Sequence, residues 1–282
     1  MKYLILLLLT SCSFPNKAKQ VDHNEDLQFF YDVTYKEVLG ELDPVTGWIT
    51  NTDCDSLLFS GIACSLDFPV RIELAEYAPG EIHRRPFNSC YTKDHGDQGS
   101  KSTISRDMLT GYMSCLWERK DLDGFKRLAD YGEKHAWIMG EPASMVSRVS
   151  FGGNLTGLLG RALYSLSGHG SDRTYRHLPT SYLPVLKDYE RHVQVQGILL
   201  QDKVSGGITD EMLERLKDHA ATYPDDQLFS AALGRFTGDQ SHTIELLLKD
   251  TPCSSYVRGE KPETYCLINW LQAARIVLDG GK

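Results

Sequence analysis

Acidic side chains precede or begin two apolar helical stretches of the sequence. Asp55 lies in the segment Thr52-Asp53-Cys54-Asp55-Ser56, and Asp107 follows Ser105 at the start of a second stretch. Glycosidic bond cleavage uses such groups, because a carboxylic acid protonates the leaving oxygen and a carboxylate often completes the reaction. The same positions suit a helix cap and a charge stabilised by the helix dipole. The sequence therefore leaves a catalytic and a structural role open for Asp55 and Asp107.

Basic side chains lie close to these acids in the sequence. Arg84 and Arg85 belong to the segment Glu81–Pro86, and Arg106 directly precedes Asp107. Guanidinium groups bind carboxylates through paired hydrogen bonds, and His83 is a candidate proton carrier. We predict that Arg84, Arg106 and His83 bind a charged substrate. The alternative is an exposed loop whose charges pair with local acids.

Two tryptophans are candidate stacking surfaces for sugar rings. Trp117 ends the helical stretch that begins at Ser105, and Trp137 is followed closely by Glu141. A loop at this point would turn Glu141 towards a cleft. The alternative for Trp137 is a place in the hydrophobic core.

Composition argues against several other classes of function. The net charge of −8 argues against a nucleic-acid binder, which neutralises phosphates with a basic patch. Neither zinc-type cysteine and histidine spacing nor the regular acid pattern of a calcium loop is present. A phosphate-binding glycine loop and a GxSxG elbow are also missing from the sequence. We therefore predict neither a metal nor a cofactor.

The amino terminus has the layout of an export signal. Lys2 precedes the apolar stretch 3–9, which is too short to span a bilayer, and two small residues follow. Leu9-Thr10-Ser11-Cys12 resembles the lipobox of bacterial lipoproteins, in which the cysteine is acylated. The resemblance implies a signal peptide over 1–12, a lipidated Cys12 and membrane anchoring. Ser13, which follows the cysteine, favours the outer over the inner membrane of the cell envelope. Without lipidation of Cys12, the chain would be a soluble secreted protein.

The cysteine count supports an oxidising compartment. Seven cysteines become six once Cys12 is set aside, which fits three disulfides. Cys54 and Cys64 are ten residues apart, about 15 Å along one helix, and cannot pair. We predict a Cys253–Cys266 disulfide across a polar loop. The connectivity among Cys54, Cys64, Cys90 and Cys115 stays open, as does the alternative of six reduced, buried cysteines.

The rest of the chain divides into a polar tether over 13–25 and one domain over 26–282. Apolar residues recur at helical spacing through most of that domain, with few strand signals. Successive hairpins of about ten helices must stack to bury their apolar faces. We predict an all-α helical array, stapled by disulfides and closed into an α/α toroid or a partial toroid. Predicted helices cover the stretches 27–40, 53–64, 105–117, 125–137, 154–167, 182–201, 209–221, 226–236, 241–249 and 264–278.

The segment from Asp53 to Trp117 resembles parts of α/α-toroid glycan hydrolases and lyases, through Ser105-Arg106-Asp107 before an aromatic-containing helix. The resemblance implies a fold and a carbohydrate substrate, such as peptidoglycan or a surface polysaccharide, for a glycoside hydrolase or a polysaccharide lyase. Asp55 or Asp107 would then be the acid or base. The rival hypothesis is a non-catalytic envelope lipoprotein, either a binding scaffold or a surface-exclusion factor.

Overall fold

The computed structural model describes residues 23–50, 56–84, 104–137, 139, 153–167, 188–249 and 264–280. Cys12, residues 13–22 of the predicted tether, Asp55 and Glu141 lie outside these described residues, and the last residues of the predicted tether, Asn24 and Glu25, already belong to the first helix. Most of the described chain is α-helical, which confirms the all-α prediction. The helices are α1 Asn24–Glu41, α2 Ser56–Cys64, α3 Arg106–Glu118, α4 Leu122–Lys134, α5 Gly153–Ser167, α6 Asp188–Ser205, α7 Asp210–Thr222, α8 Gln227–Thr237, α9 Ser241–Leu248 and α10 Thr264–Asp279.

Local sequence signals account for several helix ends. Side chains of Asp121, Thr209 and Asp226 cap α4, α7 and α8 by accepting the backbone N–H of the third residue of each helix. Gly238 ends α8 in the left-handed conformation, at φ 79°, where glycine carries no steric penalty. These caps place the helix ends within a few residues of the predicted boundaries.

The stretch between the predicted helices 53–64 and 105–117 contains a small ordered unit. A 3₁₀ helix, Ile72–Ala75, leads into an antiparallel hairpin of β1, Glu76–Ala78, and β2, Glu81–Ile82. The hairpin is fixed to α4 because Arg127 donates two hydrogen bonds to Glu76, at 2.8 and 3.0 Å. The prediction missed this unit because two strands of three and two residues are too short for a visible period of two.

Helices α2 and α3 run parallel and pack backbone against backbone. Gly61 of α2 faces Gly111 of α3 so closely that a β carbon on Gly61 would lie 2.2 Å from the Gly111 carbonyl oxygen. One turn further along both helices, Cys64 and Cys115 form a disulfide with their Cα atoms 5.2 Å apart. Contacts that advance in the same direction on both helices establish the parallel arrangement.

The Cys64–Cys115 disulfide settles one pairing that the sequence left open. Cys266 is also disulfide-bonded, and its partner lies outside the described residues. Cys54, Cys90 and Cys253 are outside those residues as well. The Cys253–Cys266 pairing stays a prediction.

Five helices contact one another in a closed order. Helix α2 packs on α3, α3 on α6, α6 on α8, α8 on α10, and α10 returns to α2. The other helices lie against this set: α1 and α9 against α10, α4 against α3, α5 against α6 and α7 against α8. None of the described helices combines the length and apolar character needed to cross a membrane.

Helices α6 and α10 also run parallel. His192 bonds to Asn269, and one turn further along both helices Gln196 bonds to Gln272. Near the carboxyl end of α6, Asp202 pairs at 2.7 Å with Arg235, which lies near the carboxyl end of α8. Helices α6 and α8 pack side by side. Because their carboxyl ends lie next to each other, these two helices are also parallel. The amino-terminal ends of α6, α8 and α10 therefore lie on one side of the domain.

Candidate functional site

The amino-terminal ends of α2 and α3 bring Arg84 and Asp107 together. The carbonyl oxygen of Arg84 accepts the backbone N–H of Leu57 at 3.1 Å, so the chain leaving β2 is bonded to the first turn of α2. Asp107 lies in the first turn of α3, and both side chains are buried. The positive charge of Arg84 lowers the pKa of the Asp107 carboxyl, against the larger effect of burial. Two residues that are distant in the sequence therefore lie near each other in the interior of the protein, and we refer to them as the Arg84–Asp107 pair.

Burial raises the pKa of the Asp107 carboxyl above its ordinary value. The Ser105 hydroxyl, the charge of Arg84 and the backbone N–H groups of Asp107 and Met108 each lower this pKa, and burial outweighs them. Ser105 Oγ lies near the carboxyl, yet it makes no hydrogen bond of regular geometry among the described residues. A buried carboxyl that keeps its proton to higher pH is suited to general acid catalysis.

The other predicted site residues fall in different places. Arg106 is exposed on the surface of α3, beside the buried Asp107. His83 lies in the hairpin, where its Nε2 is 3.2 Å from Glu81 Oε1 and its ring stacks on Tyr77. The structure thus joins Arg84 to Asp107 and directs His83 towards the hairpin surface.

The two tryptophans lie at the carboxyl ends of two different helices, α3 and α4. Trp117 is ten residues after Asp107 on α3, about 15 Å away along the helix axis. It is buried there, with the Lys120 ammonium 4.4 Å from its ring centroid. Trp137 is half-buried and packs on Gly132 of α4, where its ring occupies the space that a β carbon would need. Both rings therefore serve packing at their own helix ends.

A cluster of buried polar side chains between α6 and α10 was not among the predicted site residues. His192 Nε2 lies 3.1 Å from Asn269 Oδ1, and the amides of Gln196 and Gln272 donate to each other at 2.7 and 2.9 Å. Phe59 of α2 stacks on His192 with ring centroids 6.1 Å apart. Each of the two helices carries two polar residues three or four apart, a histidine and a glutamine on α6 and an asparagine and a glutamine on α10, which marks a polar face on each helix but not that the two faces meet.

Helix α2 contacts both the chain at Arg84 and this polar cluster. The backbone N–H of Leu57, its second residue, bonds to the carbonyl oxygen of Arg84. Phe59, two residues later, stacks on His192. The first turn of α2 therefore lies between the segment that carries Arg84 and the buried imidazole of α6.

His219 forms a second buried polar contact, between α6 and α7. Its Nδ1 accepts from Arg191 Nη1 at 3.0 Å, and its Nε2 lies 3.0 Å from Gln194 Oε1. Burial, aided by the charge of Arg191, lowers the pKa of His219 to about 4. Burial alone lowers the pKa of His192 to about 4, against a weaker opposing effect of Asn269. Both imidazoles are neutral at pH 7.

We expect these two histidines to make stability depend on pH. A histidine with pKa about 4 in the folded state and about 6.5 in the unfolded state stabilises the fold by about 3 kcal/mol when neutral. That contribution is fully present above pH 6.5 and is lost as the pH falls towards 4. Chemical unfolding measured between pH 7.5 and 4 should show wild type losing more stability than His192→Gln or His219→Gln.

The matched control is His242→Gln, which replaces a histidine on an exposed hydrogen bond to the Pro224 carbonyl. We expect its stability to follow the wild-type pH dependence. If the free energy of unfolding of His192→Gln and His219→Gln falls with pH as steeply as that of wild type, the assignment of buried, neutral imidazoles is contradicted.

Among the described residues, no group of three or more histidine, cysteine, aspartate or glutamate side chains is arranged to hold a metal ion. Comparison with protein-family models, with curated proteins and with solved structures finds no match to the chain. Function therefore has to be inferred from the residues of this chain alone.

Proposed function

We propose that this protein is an envelope lipoprotein whose helical body binds and cleaves a carbohydrate chain at the Arg84–Asp107 pair. The observation that carries the proposal is the buried Asp107 carboxyl, whose pKa is raised by burial beside the Arg84 guanidinium. A carboxyl group whose pKa is raised by burial holds its proton to higher pH, and a carboxylic acid is the group that protonates a glycosidic oxygen.

The proposed architecture of the body is an α/α toroid. Support comes from the closed order of contacts through α2, α3, α6, α8 and α10, with the remaining helices outside. Parallel packing of α2 with α3, and of α6 with α8 and α10, is what an inner ring of helices requires. In such a ring, the buried polar side chains of α6 and α10 and the acid of α3 would approach one another near the amino-terminal ends of the inner helices.

The proposed chemistry gives each residue of the pair a separate role. Asp107 donates its proton to the leaving oxygen as the glycosidic bond breaks, and the carboxylate that forms is stabilised by Arg84. Arg84 also favours an anionic sugar, because a guanidinium binds a carboxylate through paired hydrogen bonds. In a glycoside hydrolase a water oxygen replaces the leaving oxygen on the anomeric carbon, and a second carboxylate about 5–10 Å away takes the proton of that water or first attacks the carbon itself. Asp55, which directly precedes α2, is the residue that we propose for this role.

The proposed location at the membrane depends on Cys12. Expression of wild type and Cys12→Ala in a bacterial host, with a fatty-acid probe, tests it directly. We expect wild type to incorporate the probe and to sediment with membranes, and Cys12→Ala to do neither, since several acyl chains on one residue give stable anchoring. Equal labelling of the two proteins would overturn the lipid anchor.

One observation favours the rival function of a non-catalytic scaffold. Arg84 is 3% exposed and Asp107 5% exposed, so the pair is closed to solvent in this conformation. A scaffold would use the pair only to hold the ends of α2 and α3 together. The two functions differ in one measurement, because only the enzyme releases new reducing ends, or new unsaturated ends, from a purified envelope glycan.

A further inference from the structure

Helix α1 carries two stripes of regularly spaced residues on opposite sides. Its buried residues are spaced by four, three and four positions: Leu27, Tyr31, Thr34 and Val38. They face the domain, where α1 packs on α9 and α10. The same spacing recurs two residues further on in a second set, here called the outer stripe: Phe29, Val33, Lys36 and Gly40. Two residues turn an α-helix by about 200°, so the outer stripe faces solvent.

The outer stripe exposes large apolar side chains. Phe29 is 72% exposed and Val33 is 47% exposed. Four of the seven large hydrophobic residues that are exposed in the described part of the chain lie on α1 or just after it: Phe29, Val33, Leu39 and Val45. A β carbon on Gly40 would meet nothing within 4 Å, so the end of the stripe is open as well. Spacing by four and three is the pattern by which one helix packs along another, and it predicts a second helix as the occupant.

Acidic side chains border the outer stripe on both sides. At about 100° per residue, two exposed acids lie on each side of the stripe, Glu25 and Asp32 on one and Asp26 and Glu37 on the other. Lys36 is the only basic residue of α1. The exposed side of this helix therefore presents an apolar seam between two rows of negative charge.

This charge pattern selects among the occupants of the seam. A second copy of α1 would place acids opposite acids in either helix direction, and like charges beside a helix contact are destabilising. An anionic lipid surface would be repelled for the same reason. A helix with lysine or arginine beside its own apolar stripe would instead form ion pairs on both sides, and such flanking pairs determine which helices associate.

We propose that the outer stripe of α1 is a docking surface for a helix of a second protein, with apolar residues at spacings of three and four and basic residues on both flanks. Phe29 and Val33 supply the apolar anchors, while the bordering acids determine which partner is accepted. Lys36 is a charged residue within the seam, and such a residue fixes the register of the contact. This interaction is independent of the proposed carbohydrate function, whose residues lie on other elements.

The experiment is photocrosslinking of the full-length protein in its native cells, with the photoreactive residue p-benzoylphenylalanine in place of Phe29. We expect an adduct with one protein, and mass spectrometry should locate the link in a helix of the stated pattern. Asp32→Lys combined with Glu37→Lys should lower the yield of this adduct about tenfold, because two attractions become repulsions. Replacing the flanking basic residues of the partner with glutamate should restore the adduct of this double variant. The matched control places the photoreactive residue at Tyr77, which is 76% exposed on the hairpin, and should not capture this partner.

Several results would overturn the proposal. These are an adduct with a second copy of this chain, with lipid or with a protein segment that lacks basic flanks, and the absence of any adduct. An adduct whose yield the charge-reversed double variant leaves unchanged would also contradict it. Phe29, Asp32 and Glu37 are exposed, so their replacement should leave the fold intact, which circular dichroism of the purified variants checks. The affinity of wild type for the purified partner should fall as ionic strength rises, because salt screens the flanking ion pairs, and an affinity independent of salt would exclude them.

Discussion

Asp107→Asn should abolish glycan cleavage, with a loss of about 10²- to 10⁴-fold in the rate constant of the chemical step. Asparagine matches the size of aspartate and still accepts hydrogen bonds through its side-chain oxygen, but it has no proton to give to a leaving oxygen. Removing a general acid acts on the transition state, so kcat should fall while KM changes little. Release of new chain ends from purified envelope glycans, with time courses at several substrate concentrations, measures both constants.

The control for this substitution is Asp123→Asn. Asp123 is also a first-turn acid, in α4, but its side chain is 81% exposed and pairs with Lys126. We expect wild-type activity from it, because an exposed carboxyl has neither the burial nor the arginine that distinguish Asp107. Equal activities of Asp107→Asn and wild type would remove Asp107 from the mechanism.

Gly61→Ala should cause a large loss of stability, although it adds only one methyl group. The new β carbon would lie 2.2 Å from the carbonyl oxygen and 2.3 Å from the carbonyl carbon of Gly111, both backbone atoms. Backbone cannot rotate away as a side chain can, so α2 and α3 must separate while their disulfide holds the far ends. We expect a loss of about 3 kcal/mol in the free energy of unfolding, at the upper end for overpacking. Guanidinium unfolding followed by circular dichroism measures it.

Gly40→Ala is the matched control for the glycine substitution. Gly40 is also helical, in the last turn of α1, and a β carbon there would meet nothing within 4 Å. Alanine has the higher helix propensity, so we expect a gain of up to about 1 kcal/mol. Equal stabilities of Gly61→Ala and Gly40→Ala would show that α2 and α3 pack less closely than described.

Much of the helical framework was predictable because each helix carries its own signals. The 3.6-residue apolar period and local caps such as Asp226 are properties of short segments, and the described helices follow them. The surroundings of Gly111 are harder to predict, because Gly111 shares a face of α3 with the small or polar residues Asp107 and Ser114. The sequence allows either a close helix contact or a cavity wall on that face. The backbone of α2 at Leu58 fills the space, so the close contact is correct.

The candidate site was only partly predictable because it depends on which helices become neighbours. The sequence points to Arg84 and Asp107 separately, from their chemistry and their places at helix starts, and the parallel packing of α2 and α3 brings them together. The sequence of α6, taken alone, favours a purely structural role for His192. Its partners lie on α10, about 80 residues later, and one sequence contains no signal for that pairing.

His83 shows how adjacency in sequence can mislead. Its two neighbouring arginines suggest that it shares their ligand, yet a short hairpin turns consecutive side chains to opposite sides. Arg84 therefore enters the protein while His83 stays near the surface under Tyr77. Strands this short leave no recognisable period in the sequence, so the direction of each side chain follows only from the structure.

Cleavage of a carbohydrate chain at the Arg84–Asp107 pair is tested most directly by product analysis of purified envelope glycans. Detergent-solubilised wild type and Asp107→Asn are incubated with peptidoglycan and with surface polysaccharide, and the soluble products are separated and identified by mass spectrometry. We predict that wild type releases defined oligosaccharides from one of these glycans and that Asp107→Asn, although folded, releases none. Release of the same products by both proteins, or by neither, would contradict the proposed cleavage.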